Sequence, residues 1–123
     1  MSDYPLVLEI LSQIYQACQK VQDRFKIIKA VQDFTDTPQG QEKLDSICML
    51  LIAIGESVKK LDQITDGKLL SKYDAVDWKG VKGMRDIISH HYFDIDAEEI
   101  FWVCQNEIGN LAAVIDEMIR TFR

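Results

Sequence analysis

Apolar residues recur along this chain at alternating steps of three and four, the spacing that holds one stripe of an α-helix against a neighbour. The clearest stretch runs Phe101, Cys104, Ile108, Leu111, Ile115, Met118 and Phe122, which reads as one terminal helix and a bundle seam. Val7, Leu11, Ile14, Cys18 and Val21 make a first helix. Phe25, Ile28 and Val31 carry the spacing into a second, ending near Phe34. Thr35-Asp36-Thr37-Pro38 then reads as punctuation, a small polar N-cap followed by proline where its missing N–H costs nothing. A third helix spans about Gln39 to Leu61. Its centre, Ile47 to Ile54, is apolar on every side, so sister helices and a second copy of the molecule are expected around it. Gly55, directly after, lets another backbone come close. Thr65 to Asp77 is the long connection, and a fourth helix follows from about Val81. Asp96-Ala97-Glu98-Glu99 has the form of a capping box, with Ile95 and Ile100 placed as a hydrophobic staple. With no strand pattern, and only 6 Gly and 2 Pro to make turns, the expected fold is all-α. It is a single domain over residues 1–123, an up-and-down bundle of four to five helices.

Charge narrows the function. The chain is acidic, with a net charge of −6 from 14 basic and 20 acidic residues, which argues against a general nucleic-acid coat protein. A small local basic cleft remains compatible with that balance. The 3 cysteines, Cys18, Cys48 and Cys104, are odd in number, far apart and set among apolar neighbours. They read as small core residues in a reducing cytosol rather than disulfides or a zinc site. Asp3 stands where a secretory leader needs basic residues, and the longest apolar run falls well short of the ~20 residues a membrane crossing needs. A cytoplasmic protein with no membrane partner is expected.

The window Trp78 to Tyr92 reverses the sign. Lys79, Lys82 and Arg85 against Asp86 give it +2, so the remainder of the −6 chain carries −8. Phosphate-cradling loops, nucleophile elbows and zinc-helix motifs are absent, and the adjacent His90 and His91 cannot ligate one ion at helical i, i+4 spacing. No metal site is expected. At ~100° per residue, Met84, Ile87, Ile88 and His91 share one side of the helix. Lys79, Lys82, Asp86 and His90 share the other, with Arg85 and Tyr92 near its edge. Asp86 and His90 are one turn apart, so the carboxylate can orient the ring. A guanidinium forks onto two phosphate oxygens, and an imidazole moves a proton near neutral pH. The set suits phosphodiester chemistry without metal. The plainer reading of the same window is a solvated helix face, with His91 packed in the apolar stripe.

Arg85-Asp86-Ile87-Ile88-Ser89-His90-His91-Tyr92 resembles the R-x4-H-x-Y signature of the HEPN (higher eukaryotes and prokaryotes nucleotide-binding) superfamily, in its HepT-like toxin branch. Ile54-Gly55-Glu56-Ser57 is similar to that branch's Ile-Gly-Glu-Ala. Asp77-Trp78-Lys79 through Met84-Arg85 resembles its tryptophan-to-Met-Arg approach, and Tyr92-Phe93-Asp94-Ile95-Asp96 its Tyr-Phe-Gly-Ile-Asp exit. The resemblance implies a HEPN-like helical homodimer with a composite cleft and metal-independent endoribonuclease activity, RNA rather than DNA being cut and no cofactor required. It implies that Arg85 holds the scissile phosphate, that His90 is the general acid or base, and that the RNA 2′-hydroxyl is the nucleophile. Asp86 stands where the family has a polar residue that orients the pair. Lys79 and Lys82 are candidate phosphate contacts. Tyr92 matches the tyrosine that a minimal nucleotidyltransferase antitoxin modifies with AMP. His91 departs from the glutamate common between the histidine and tyrosine.

Three functions compete. The first is the RNA-cleaving toxin component. The second is a non-catalytic nucleotide- or partner-binding subunit of a two-component nucleotidyltransferase. The third is a plain helical dimerisation adaptor.

Overall fold

The computed structural model describes residues 4–90 and 92–122; the side chains of residues 90 and 92 lie outside that description, as do His91 and the terminal residues. Among the described residues there are six α-helices and no strand. They are α1 (Tyr4–Phe25), α2 (Gln32–Thr35), α3 (Pro38–Ile64), α4 (Trp78–His90), α5 (Ala97–Asn106) and α6 (Ile108–Phe122). Two short 3-10 turns, Leu70–Lys72 and Tyr92–Asp94, flank α4. The all-α bundle is as expected from the heptad-like spacing.

The long helices lie in the spatial order α4, α3, α1, α6. Val7, Leu11, Ile14, Cys18 and Val21 of α1 are buried between Ile47, Leu51, Ile54, Val58 and Leu61 of α3 and Ile108, Leu111, Ile115 and Met118 of α6. Each such side chain contributes roughly 1.5–3 kcal/mol on burial. The start of α3 is capped as its sequence predicts, with Thr37 Oγ1 accepting from Gly40 N–H at 2.9 Å and Pro38 at the first helical position. Asp96 likewise caps α5, its Oδ1 accepting from the N–H groups of Glu98 and Glu99 at 3.0 and 3.3 Å.

Three boundaries differ from the sequence reading. The second helix is a single turn. Asp33 Oδ2 accepts from Lys29 N–H at 2.7 Å and Ala30 N–H at 3.1 Å, so a side chain takes the backbone donors that a longer helix would use. That turn seats Phe34, fully buried, beside Phe25 and Phe101. The terminal seam is two helices, because Glu107 adopts φ −115° between α5 and α6. Glu107 N–H still donates to Val103 O and its carbonyl still accepts from Leu111 N–H, so the seam stays buried across the change of direction. The bend lets α5 carry Phe101 onto Phe25 while α6 lies along α1. Finally, α4 begins at Trp78, three residues before Val81.

The centre of α3 is not covered all round within one chain, since Met49 is 73% exposed. Among the described residues no helix is long and apolar enough to cross a membrane. All three cysteines are free and buried, as expected for core residues.

Candidate active site

Helix α4 packs principally on α3, and one glycine sets how closely. A Cβ built on Gly55 would stand 2.8 Å from Val81 O and 3.7 Å from Arg85 N. The close backbone expected at Gly55 is therefore α4 of the same chain. The start of α4 is fixed from outside. Asp77 Oδ1 accepts from Gly80 N–H at 3.1 Å, and the Trp78 indole N–H donates to Tyr73 O at 2.7 Å. Asn110 of α6 donates to Ala75 O at 2.9 Å, holding the preceding connection.

This contact carries Arg85 to the outer edge of the α3–α4 seam, where its side chain is 49% exposed. Arg85 Nε lies 3.5 Å from Glu56 Oε2, and one of its terminal nitrogens lies 3.6 Å from Asp86 Oδ1. The same Glu56 oxygen lies 3.6 Å from Lys59 Nζ. Two cations and two carboxylates thus meet at the seam. Such half-exposed pairs add little to stability, about 0–1 kcal/mol each, and they favour the orientation in which the guanidinium lies between Glu56 and Asp86. Sequence reasoning quoted Glu56 in a motif without a role and passed over Lys59. The signal was Gly55, since the residue after a close helix contact stands at the rim of that contact.

Of the two candidate phosphate-binding lysines, Lys82 is tied down, with Nζ 2.8 Å from Asp62 Oδ2. Lys79 is exposed and has no carboxylate partner among the described residues. Together with Lys59, Asp62, Gln63, Gly83 and Asp86 they line an open groove of about 450 Å³ beside Arg85. Gly83 is in the interior of α4, where glycine costs about 1 kcal/mol relative to alanine. A Cβ there would meet nothing within 4 Å.

The apolar side of α4 divides. Met84 and Ile88 are buried as expected, whereas Ile87 is 49% exposed. It faces a cavity of about 460 Å³ between α4 and the α5–α6 bend, where Trp102 is also half exposed. Glu107 lines that cavity, and burial, then the neighbouring Asp77 charge, push its carboxyl above the ordinary range. His90 is the last residue of α4 and Tyr92 opens the following 3-10 turn. The expected roles of their side chains, and the place of His91, lie outside the described residues. The structure thus brings Arg85, Asp86, Lys79 and Lys82 to one flank of α4, and adds Glu56 and Lys59 from α3.

Comparison with known proteins gives this flank a context. A family model described as Ribonuclease HepT-like matches residues 14–118, which include the Gly55–Glu56 contact and the whole of α4. A protein of Methanocaldococcus jannaschii named "Putative RNase MJ0127" is 33% identical over 104 residues, covering 80% of this chain and 83% of its own length. One of Caldanaerobacter subterraneus subsp. tengcongensis named "Putative RNase TTE0752" is 30% identical over 110 residues, covering 89% and 91%. No solved structure gives a significant match. A match over most of the length, through the same two helices that build the Arg85 site, means that the chain belongs to the HepT-like ribonuclease family.

Proposed function

We propose that the protein is a metal-independent endoribonuclease, the toxin of a toxin–antitoxin pair, acting at a cleft shared by two copies of the chain. The observation that carries this reading is a guanidinium held at the exposed rim of the α3–α4 seam, in a family described as ribonuclease. In the reaction, Arg85 neutralises a phosphodiester and His90 transfers the proton. The ribose 2′-hydroxyl attacks phosphorus and the bond to the 5′-oxygen breaks, leaving a 2′,3′-cyclic phosphate and a 5′-hydroxyl. Asp86, on the same helix, orients the pair. The names of two relatives as RNases support the substrate class.

The test is cleavage of RNA, but not DNA, by purified protein in chelator. Arg85→Ala and His90→Ala are expected to abolish it. Cutting that survives in His90→Ala refutes the assignment.

Control of the toxin rests on Tyr92. A minimal nucleotidyltransferase would join the phenol oxygen to the α-phosphorus of ATP, releasing pyrophosphate. The added AMP brings bulk and negative charge to the motif that carries Arg85 and competes with substrate phosphate. Intact mass after coexpression should show adenylyl additions that are lost in Tyr92→Phe.

One observation favours the non-catalytic subunit as a second reading. Glu56 and Asp86 balance the charges of Arg85 and Lys59, which weakens the pull on a phosphate. That protein would take the Tyr92 modification and cut no RNA in either state.

A further inference from the structure

We infer that the groove beside Arg85, floored by Gly83 and rimmed by Lys59 and Lys79, is a binding subsite for the sugar–phosphate backbone of single-stranded RNA flanking the cut. The inference rests on the ribonuclease reading above and adds the path that the strand takes. Its first support is a glycine without a reason inside the chain. A Cβ on Gly55 would press on the backbone at Val81 O, and one on Gly80 would stand 2.6 Å from the Asp77 carboxylate that caps α4. Gly83 has nothing within 4 Å and lies in mid-helix, where glycine weakens the fold. What it gains is a smooth floor, which lets an external backbone approach α4 closely.

Charge identifies the visitor. Lys79, Gly83 and Asp86 follow one another at helical steps of four and three, so they form one stripe that leads along α4 towards residue 90. Lys59 faces this stripe from α3, and Lys82 forms its wall through the bond to Asp62. The lining holds three lysines against two aspartates in a protein that is otherwise strongly acidic. The groove meets Arg85 at both ends of an ion-pair chain, through Asp86 and through Lys59–Glu56. A phosphate at Arg85 would then have its neighbour along the strand inside the groove, where Lys79 has no carboxylate partner among the described residues. Contacts to phosphate position a strand without reading its sequence, so the subsite sets register rather than base preference.

The test measures binding of a labelled 2′-O-methyl oligoribonucleotide, which lacks the attacking hydroxyl, together with melting temperature and solution mass. Gly83→Ala should raise the melting temperature by about 4 °C. Gly83→Gln should keep the fold and the oligomeric state while losing about tenfold in affinity, the order expected when phosphate contacts are blocked. Lys79→Ala should lower the slope of log affinity against log salt by about 0.7. Wild-type affinity in both Gly83→Gln and Lys79→Ala, in a protein that still cuts RNA, overturns the subsite alone. A change of solution mass in Gly83→Gln also overturns it and assigns the stripe to contact with a second copy. A wild-type protein that neither binds nor cuts RNA overturns the subsite and the ribonuclease reading together.

Discussion

Arg85 Nε and Glu56 Oε2 are 3.5 Å apart across the α3–α4 seam, joining two helices through the one cation expected to meet the scissile phosphate. The carboxylate has two opposed effects. It favours one orientation of the guanidinium, and it offsets positive potential that would draw RNA in. Glu56→Ala should therefore bind RNA more tightly, by about threefold, while its cleavage step slows by about tenfold. Global stability should move by less than about 0.5 kcal/mol because both side chains are half exposed. Single-turnover cleavage and separate binding measurements resolve the two. A fall in both affinity and rate would mean that Glu56 serves some other role.

Gly55 sets how closely the two helices that build the site approach each other. A methyl group at this position stands 2.8 Å from Val81 O, a backbone atom that cannot swing aside. Gly55→Ala must push α4 off α3. We expect a loss of about 1–3 kcal/mol, the usual cost of overpacking, and a larger fractional loss of cleavage as Arg85 leaves Glu56. Urea unfolding and activity measured on the same preparation check both. Unchanged stability would show that the two helices slide without penalty.

What could be read in advance was local. Thr37-Pro38 and Asp96 announce helix starts because capping acts within three residues, and the three-four spacing places the core of α1 and α6. The single-turn α2 was hidden because Asp33 competes for backbone donors in a segment whose apolar spacing still looks helical. The break at Glu107 was hidden for the converse reason, since an unbroken seam runs through it. At the site, one helical wheel put Arg85 at the edge of the polar side, and it stands there. The Glu56–Lys59 pair stands at i, i+3 within α3, a spacing the sequence displays, but the meeting of Glu56 with Arg85 lay beyond spacing rules, since that partner is on another helix. Met49, exposed in the single chain, leaves open the face of α3 where the all-apolar run led to the expectation of a second copy.

The cysteines make a pH prediction. Burial pushes the thiols of Cys18 and Cys104 up to about 12 and that of Cys48 to about 11, from 9.0. Above the unfolded value the open chain releases protons that the folded chain retains, so rising pH favours unfolding. The stability due to the neutral thiols is complete below pH 9 and declines as pH climbs towards 11–12. Denaturant midpoints should fall over that interval, and less so in Cys18→Ala after allowing for its lost packing. At pH 8 an aromatic disulfide reagent should leave all three thiols untouched until the chain is unfolded.

Substituting lysine for Arg85 separates charge from shape. A lysine keeps the positive charge but ends in one nitrogen, whereas the arginine places Nε toward Glu56 and a terminal nitrogen toward Asp86 with donors to spare. With a single ammonium, contact with Glu56 and contact with phosphate compete. The transition state suffers most, because the charge building on phosphorus-bound oxygens needs donors already in place. Arg85→Lys should hold RNA within about threefold of wild type, as bulk attraction is retained, yet cleave about a hundredfold more slowly. Arg85→Ala should lose both. The comparison uses single-turnover rates at saturating protein, where binding no longer limits. If Arg85→Lys cuts within a few-fold of wild type, a point charge suffices, and the Glu56 contact cannot be what prepares this guanidinium for the phosphate.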